Sequence, residues 1–260
     1  LRLLSAQYSF EFAQEYAEYS QGIKENYVRR NPKFDTVELD EYLEMENGFE
    51  IAKGEFFQKD FLDRGLVLIQ DKNSQRVVEY LDLKDDMSVL DCCCGPGTKT
   101  SQISDLVNNK GEIIGIELHE SRAQATKDLL KRWGSKNAKI ITGDLLEYSN
   151  DKLFDRILLD APCSGLGVLS HKHDLRYHIK PSDLDDLERL QAEMLDHVSS
   201  MVKVGGIILY ATCTLNKKEN EKQIERFLKR HSNFEVIEEK TFNPVEEKGD
   251  GFYIAQCRRT

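Results

Sequence analysis

The sequence predicts an α/β fold in which a doubly wound parallel sheet follows a small N-terminal α+β subdomain. From Ser88 onward, short apolar runs alternate with amphipathic stretches, a pattern that is typical of repeated βαβ units. A glycine-rich turn and two cysteine-containing segments each follow directly after one of these runs. The first 66 residues contain no such turn and are rich in Tyr, Phe and Glu. We therefore expect two units, residues 1–66 and residues 67–260.

The apolar runs and the segments between them make up the predicted sheet unit. The runs predict strands over residues 88–91, 112–117, 139–142, 156–160 and 206–211. Pro181 predicts the start of a long helix with Ser182 or Asp183 as its N-cap, and Asn216 is the predicted N-cap of the next helix. Residues 234–237 and 252–256 predict a terminal strand pair in which one strand is antiparallel.

Composition narrows the possible classes of protein. A chain of 260 residues can bury a sizeable core, and no apolar run approaches the roughly 20 residues of a membrane-spanning helix. The six cysteines include no C-x-x-C pair, so we predict neither a metal site nor a secreted disulfide framework. A formal net charge of -10 argues against a generic nucleic-acid binder. We expect a monomer in the reducing cytoplasm, without membrane association.

Two thiols and a carboxylate are predicted to share one pocket. Cys163 follows the apolar run that ends at Asp160, and Cys213 follows the run that ends at Ala211. In an open α/β sheet, side chains at the carboxyl ends of neighbouring strands converge on the crevice that binds ligands. A third run ends at Asp91 and continues into the turn that contains Gly95 and Gly97. The sequence therefore predicts covalent chemistry beside a nucleotide-like cofactor.

Acidic residues after the next two strands support a nucleoside-containing cofactor. Glu117 stands 20 positions after Gly97, a spacing that suits hydrogen bonds to ribose hydroxyls, and Asp144 is placed to meet an adenine edge. The alternative is that both are ordinary strand-end acids. Because the turn lacks the G-x-G-x-x-G fingerprint of dinucleotide sites, S-adenosylmethionine is favoured. The predicted cofactor set is Cys93, Cys94, Gly95, Pro96, Gly97, Thr98, Lys99, Glu117, Arg122, Asp144 and Asp160.

Four motifs follow one another along the chain. They are Asp91-x-Cys93-x-x-Pro96-Gly97-x-Lys99-Thr100, Asp160-Ala161-Pro162-Cys163-Ser164-Gly165-x-Gly167, Thr212-Cys213-Thr214 with Glu219-Asn220-Glu221, and Asp250-Gly251-Phe252-Tyr253. From about Gln70 to the end, the chain resembles the RNA cytosine-carbon-5 methyltransferases of the Sun/RsmB family. Residues 154–159 and 173–177 look most like the bacterial enzymes that act on small-subunit ribosomal RNA. Thr98 departs from the family, which commonly has Gly at this position.

The resemblance implies a fold, a cofactor, a partner and a division of roles. It implies a Rossmann-like sheet that binds S-adenosylmethionine, with 16S ribosomal RNA as the substrate, and a family RNA-binding domain upstream that this chain lacks. Carbon 5 of cytosine is a poor nucleophile until a thiolate adds to carbon 6, and the family assigns this attack to Cys213. Cys163 then assists release of the methylated base. Asp160 holds or donates a proton at ring nitrogen 3, and Lys99 lies near the cofactor and the base.

Other functions remain open at this point. A tRNA or DNA cytosine-carbon-5 methyltransferase is close in chemistry, although the DNA enzymes place their nucleophile in a Pro-Cys motif like that of Cys163. A dithiol redox protein predicts a disulfide, and a non-catalytic RNA-binding module explains neither cysteine. Basic or titratable residues near both cysteines are the candidates for RNA contact, with a solvated charged face as the alternative: His171, Lys172, His173, Arg176, His178, Lys180, Lys217, Lys218 and Lys222.

Overall fold

The computed structural model describes residues 2–172, 175 and 179–260. Within them the helices are α1 (Arg2–Gln7), α2 (Phe10–Tyr19), α3 (Lys72–Glu79), α4 (Thr98–Leu106), α5 (Glu120–Trp133), α6 (Pro181–Ser199), α7 (Glu221–Arg230) and α8 (Pro244–Glu247). The strands are β1 (Tyr27–Arg30), β2 (Leu43–Glu46), β3 (Phe49–Ala52), β4 (Val67–Ile69), β5 (Ser88–Asp91), β6 (Glu112–Glu117), β7 (Ala138–Thr142), β8 (Phe154–Asp160), β9 (Val202–Thr212), β10 (Phe234–Phe242) and β11 (Phe252–Arg259).

The larger sheet has the order β10-β11-β9-β8-β5-β6-β7 in the described part of the chain. Its neighbours from β9 to β7 are parallel, whereas β11 runs antiparallel to both β9 and β10. The predicted α/β fold and the antiparallel terminal strand are confirmed. The strand order reverses between β5 and β8, and the crevice at such a switch point is where these sheets bind ligands.

Both faces of the larger sheet are buried, which explains why its strands are continuous apolar runs. Consecutive residues of one strand pack into opposite core clusters: Val89 packs on one side of the sheet and Leu90 on the other. Leu158 and Leu159 are divided in the same way. Because successive side chains of a strand point to opposite faces, helices must cover both sides, as in a doubly wound sheet.

The smaller sheet is antiparallel, with the order β2-β3-β1-β4. The predicted boundary after residue 66 precedes β4. Because β4 pairs with β1, the smaller sheet extends a few residues past this boundary. Helices α1 and α2 instead pack toward the larger unit, where Tyr16 donates a hydrogen bond to the Leu166 carbonyl at 2.7 Å. Arg29 on β1 forms an ion pair with Asp105 on α4 at 2.7 Å. The N-terminal residues are thereby fixed against α4 and the loop that follows β8.

Two predicted helix caps are wrong. Helix α6 has Lys180 as its N-cap and Pro181 as its first residue, and the Asp183 carboxylate accepts a hydrogen bond from the Lys180 backbone at 3.0 Å. Helix α7 has Asn220 as its N-cap residue, not Asn216. The Asn216 side chain instead contacts its own turn and α1. No helix in the described ranges is long and apolar enough to cross a membrane.

Candidate active site

A cavity of about 690 Å³ opens at the carboxyl ends of β5 to β8. Such a volume lies within the range of small-molecule sites. The predicted residues that line it are Cys93, Cys94, Gly95, Pro96, Thr98, Lys99, Glu117, Arg122, Asp144, Asp160, Cys163 and Cys213. Gly97 is the one predicted residue absent from the lining. Strand ends far apart in sequence thus form one pocket.

The glycine-rich turn is held by its own backbone and by its neighbours. Gly97 has a φ of 103°, and a Cβ there would lie 3.0 Å from the Thr126 side chain, so this glycine shapes the turn. The Cys94 amide donates to the Ile116 carbonyl at 2.9 Å. Burial raises the pKa of both Cys93 and Cys94 well above the ordinary thiol value. Burial therefore favours the neutral form of these two cysteines.

A buried carboxyl group anchors the start of this turn. Asp91, the last residue of β5, accepts a hydrogen bond from the Thr100 hydroxyl at 2.7 Å. Burial raises the pKa of Asp91 to about 7, although the Thr100 hydrogen bond acts in the opposite direction. The contact joins the end of β5 to the first turn of α4 and so fixes the loop between them.

Two acids that line the cavity follow the neighbouring strands β6 and β7. Glu117 ends β6, is only 4% exposed and accepts the His119 amide at 3.0 Å. Arg122 donates to the Gly95 carbonyl at 2.7 Å and lies 3.5 Å from the Glu117 carboxylate, which ties the acid to the turn. Asp144 follows β7 and is exposed, and its carboxylate accepts the Leu146 amide at 2.9 Å.

An ion pair lies between the turn and the cysteines. Lys99 Nζ is 2.8 Å from Asp160 Oδ2, and the lysine side chain is 13% exposed, so this first-turn residue of α4 is not solvated. Burial opposes the charge of Lys99, but Asp160 outweighs burial and raises the pKa of the ammonium group. Lys99 also lies 5.3 Å from the centre of the Phe252 ring. The site therefore keeps a hydrogen-bond donor and a carboxylate together at the end of β8.

The thiols of Cys163 and Cys213, which were predicted to share one pocket, are in direct contact in the cavity. The Sγ atoms of Cys163 and Cys213 are 3.3 Å apart, with both cysteines reduced. Their loops follow the neighbouring parallel strands β8 and β9, which are paired at Asp160 and Ala211. The contact thus follows directly from strand order.

The two thiols are not equivalent in their electrostatic surroundings. The hydrogen bond from Cys163 lowers the pKa of Cys213, with help from the nearby Lys172 and Lys99 and against the effects of burial and Asp160. The same hydrogen bond and burial raise the pKa of Cys163, and the charges of Cys213 and Glu219 act in that direction too. These surroundings favour the charged form of Cys213 over that of Cys163.

Close backbone contacts join the loop of Cys163, which follows β8, to the loop of Cys213, which follows β9. The Gly167 amide donates to the Cys213 carbonyl at 3.0 Å, and the Gly167 carbonyl accepts the Gly251 amide at 2.8 Å. A Cβ at Gly167 would lie 2.1 Å from the Gly251 carbonyl oxygen. Three of the four motifs therefore touch through the backbone, and a side chain at Gly167 does not fit.

Sequence reasoning missed several residues of the site. Glu219 was recognised within a motif, but its burial beneath both cysteine loops was not. Asp71, His171 and Asp250 bring ligand atoms within 4.8 Å of one another at the cavity, and no sequence spacing indicated this cluster. Of the predicted RNA-contact loop, His171 and Lys172 line the cavity. His173, Arg176 and His178 lie outside the described residues.

Comparisons with known proteins identify the family. Residues 78–258 match the family model described as 16S rRNA methyltransferase RsmB/F. A Bacillus subtilis protein named "Probable ribosomal RNA small subunit methyltransferase B" is 37% identical over 193 residues, covering 73% of this chain and 43% of its own. The ribosomal RNA small subunit methyltransferase B of Yersinia enterocolitica is 37% identical over 202 residues, covering 74% and 47%. The chain spans less than half the length of these relatives.

Solved structures agree with this assignment. The crystal structure of PH0851 has a TM-score of 0.91 at 25% identity, covering 97% of this chain and 64% of its own. NSun6 from Pyrococcus horikoshii, solved with SFG, an analogue of S-adenosylmethionine, has a TM-score of 0.73 at 25% identity, covering 92% and 69%. The Rossmann-like fold and the family expected from the motifs are confirmed. The chain therefore belongs to the RsmB/F family of S-adenosylmethionine-dependent 16S rRNA methyltransferases.

Proposed function

We propose that this chain transfers a methyl group from S-adenosylmethionine to carbon 5 of a cytosine in RNA, with 16S rRNA as the substrate. The observation that carries this proposal is the pair of sulfur atoms of Cys163 and Cys213, 3.3 Å apart in the same cavity as the Lys99–Asp160 ion pair. A simple N- or O-methyltransferase has no need of two thiols, whereas carbon-5 methylation requires covalent activation of the ring.

The chain's own residues fit the cofactor. Glu117 and Asp144 offer carboxylate oxygens after neighbouring strands, where a nucleoside presents its ribose hydroxyls and its base. The turn from Cys93 to Thr98 gives close access to the backbone. When bound, S-adenosylmethionine supplies an electrophilic methyl group. Asp160 lies between this part of the cavity and the thiols, so base and cofactor would meet there.

Cys213 is the residue proposed to attack. The lowered pKa of Cys213 favours its thiolate, which is the competent nucleophile. A bond from Cys213 Sγ to carbon 6 moves electron density to carbon 5 and nitrogen 3, where the Lys99–Asp160 pair can hold or supply a proton. The methyl group is then accepted at carbon 5.

Cys163 is proposed to act in the release step. Transfer of the carbon-5 proton to a solvent water or hydroxide restores the double bond between carbons 5 and 6, and the electron pair of the broken carbon–sulfur bond leaves with the Cys213 thiolate. The neutral Cys163 thiol, 3.3 Å away, is positioned to donate a hydrogen bond to this leaving sulfur. The target base must leave its stack to reach a cavity of this kind, so a loop or partly opened RNA is the expected substrate.

Nucleoside mass spectrometry tests the proposed reaction. The purified chain, labelled S-adenosylmethionine and 16S rRNA fragments should yield 5-methylcytosine, and Cys213→Ala should yield none. Cys257→Ala is the matched control, because Cys257 is buried in β11 outside the cavity lining, and it should keep normal activity. A methyl group on another atom of the base or ribose would contradict the proposal, and stronger labelling of tRNA or DNA would reassign the substrate.

A further inference from the structure

Glu219 is a buried carboxylate to which the proposed reaction assigns no role. It lies in the turn between β9 and α7 and is 0% exposed. Within the described residues its hydrogen-bond donors are neutral: the Ser164 amide at 2.9 Å, the Ser164 hydroxyl at 2.6 Å, Gln191 Nε2 at 3.0 Å and Asn216 Nδ2 at 2.9 Å. Burying a carboxylate is costly unless hydrogen bonds compensate, so this arrangement calls for an explanation.

The donors come from the segments that carry the two thiols. Ser164 follows Cys163 directly, and Gln191 on α6 also donates to the Pro162 carbonyl at 2.9 Å, on the other side of that cysteine. Asn216 belongs to the turn that follows Cys213. The carboxylate therefore joins both cysteine loops to α6.

A second contact reinforces this junction. The hydroxyls of Ser164 and Thr214 are 2.7 Å apart, so the residues that directly follow the two cysteines are themselves hydrogen-bonded. Thr214 also accepts the Asn216 amide at 3.2 Å. The separation of the sulfur atoms is thus set by a buried polar network. Each Glu219 carboxylate oxygen accepts two hydrogen bonds, and among the described residues Gln191 Oε1 is the network atom without a partner.

The charge of Glu219 also acts differently on the two thiols. The hydrogen bond with Cys213 and burial are the main causes of the raised pKa of Cys163, and Glu219 adds to them. Lys99 and Lys172 act instead on Cys213. The charged or titratable groups that act on the pair are Lys99, Asp160, Lys172, Tyr210 and Glu219.

We propose that Glu219 is a positioning residue of this site: it ties the loops of Cys163 and Cys213 together and holds Cys163 as the neutral partner of the Cys213 thiolate. The division of roles between the thiols rests on the proposed function. The network itself can be tested without RNA or cofactor, so the failure of one proposal is distinguishable from the failure of the other.

Thiol alkylation in Glu219→Gln tests the inference. The glutamine keeps the size of the side chain but removes its charge. We expect the midpoint pH for iodoacetamide alkylation of Cys163, followed by peptide mass spectrometry, to fall by about one unit. The kcat for methylation should fall about tenfold or more, with the KM for RNA and the Kd for S-adenosylmethionine unchanged. Unaltered alkylation of both thiols would overturn the proposal.

Two further variants keep the test decisive. Glu221→Gln removes a neighbouring carboxylate that bonds neither cysteine loop, and it should leave the Cys163 midpoint and kcat unchanged; an equal shift there would contradict a specific role for Glu219. If Glu219→Gln does not fold, Ser164→Ala removes one donor and should lower kcat several-fold without changing cofactor affinity. Wild-type kcat in Ser164→Ala would then count against the network. A Cys163 shift in a chain that makes no 5-methylcytosine would support the network alone.

Discussion

Two carboxyl groups that line the cavity, those of Glu117 and Asp160, have different hydrogen-bond and ion-pair partners. Glu117 is held in place by the His119 amide and by Arg122, so it is preorganised to accept hydrogen bonds from a ligand. Asp160 is instead paired with Lys99 beside the thiols. The two carboxylates thus have different partners according to which strand end they occupy, and we propose that Glu117 binds the cofactor and Asp160 takes part in the chemistry.

Glu117→Ala should weaken binding of S-adenosylmethionine. Hydrogen bonds to a charged group contribute about 1.5–3 kcal/mol, so the expected loss of affinity is about tenfold or more. Isothermal titration calorimetry measures it directly. Glu120→Ala, three residues further on at the exposed start of α5, should bind normally. Unchanged affinity in Glu117→Ala would remove this residue from the cofactor site.

Asp91 should make the fold sensitive to pH. Its pKa is raised from 3.8 to about 7 by burial, so its contribution to stability is complete below about pH 4 and is lost as the pH rises through 7. The expected loss is on the order of 4 kcal/mol. Asp91→Asn keeps an acceptor for Thr100 and should flatten this part of the profile.

Thermal unfolding between pH 4 and pH 8 measures the effect of Asp91. The difference in unfolding midpoint between Asp91→Asn and the unaltered chain should grow in favour of the variant as the pH rises. The exposed Asp151 offers the control substitution Asp151→Asn, which should leave the pH dependence as it was. Parallel profiles for Asp91→Asn and the unaltered chain would show that Asp91 titrates normally.

At the scale of elements, parallel strand ends made most of the site predictable. Neighbouring strands β8 and β9 bring Cys163 to Cys213, and the turn after β5 brings Lys99 to Asp160. The sequence did not reveal that Asn216 is occupied by tertiary contacts, because an Asn before a helical pattern looks like a cap whatever lies beside it.

Gly167→Ala tests how tightly the motif loops are packed. The new Cβ would clash with the Gly251 carbonyl and lie 2.9 Å from the Cys213 carbonyl, so the loops must separate. We expect a loss of about 2–3 kcal/mol in the free energy of unfolding, measured by denaturant titration, together with loss of methylation. Gly143→Ala, where a Cβ meets nothing within 4 Å, should unfold normally. Equal stability of the two variants would refute the close contact.

Contacts between the two units were beyond the reach of sequence patterns. Arg29 with Asp105, and Tyr16 with the Leu166 carbonyl, join segments more than 70 residues apart, and no local periodicity encodes such pairs. The same holds for Glu219, whose partners lie on three different segments. The sequence motifs predicted which residues carry the chemistry. The hydrogen bonds of Glu219 that support them became visible only in the three-dimensional structure.

For the whole molecule, the negative net charge is expected to limit the affinity of these 260 residues for RNA. A net charge of -10 supplies no general excess of cations to neutralise phosphates. Fluorescence titrations with 16S rRNA fragments should give a Kd of about 10⁻⁶ M or weaker near physiological salt, with little preference over unrelated RNA. Tight and selective binding by these residues would contradict this expectation.

The central claim is that Cys213 attacks the base and Cys163 releases it. A denaturing gel of each variant, incubated with S-adenosylmethionine and substrate RNA, tests it most directly. Cys213→Ala should form no covalent adduct, because no thiolate is positioned to add to carbon 6. Cys163→Ala should attack and accept the methyl group but stall before release, leaving a slow-migrating protein–RNA band. A band from Cys213→Ala together with none from Cys163→Ala would reverse the two roles.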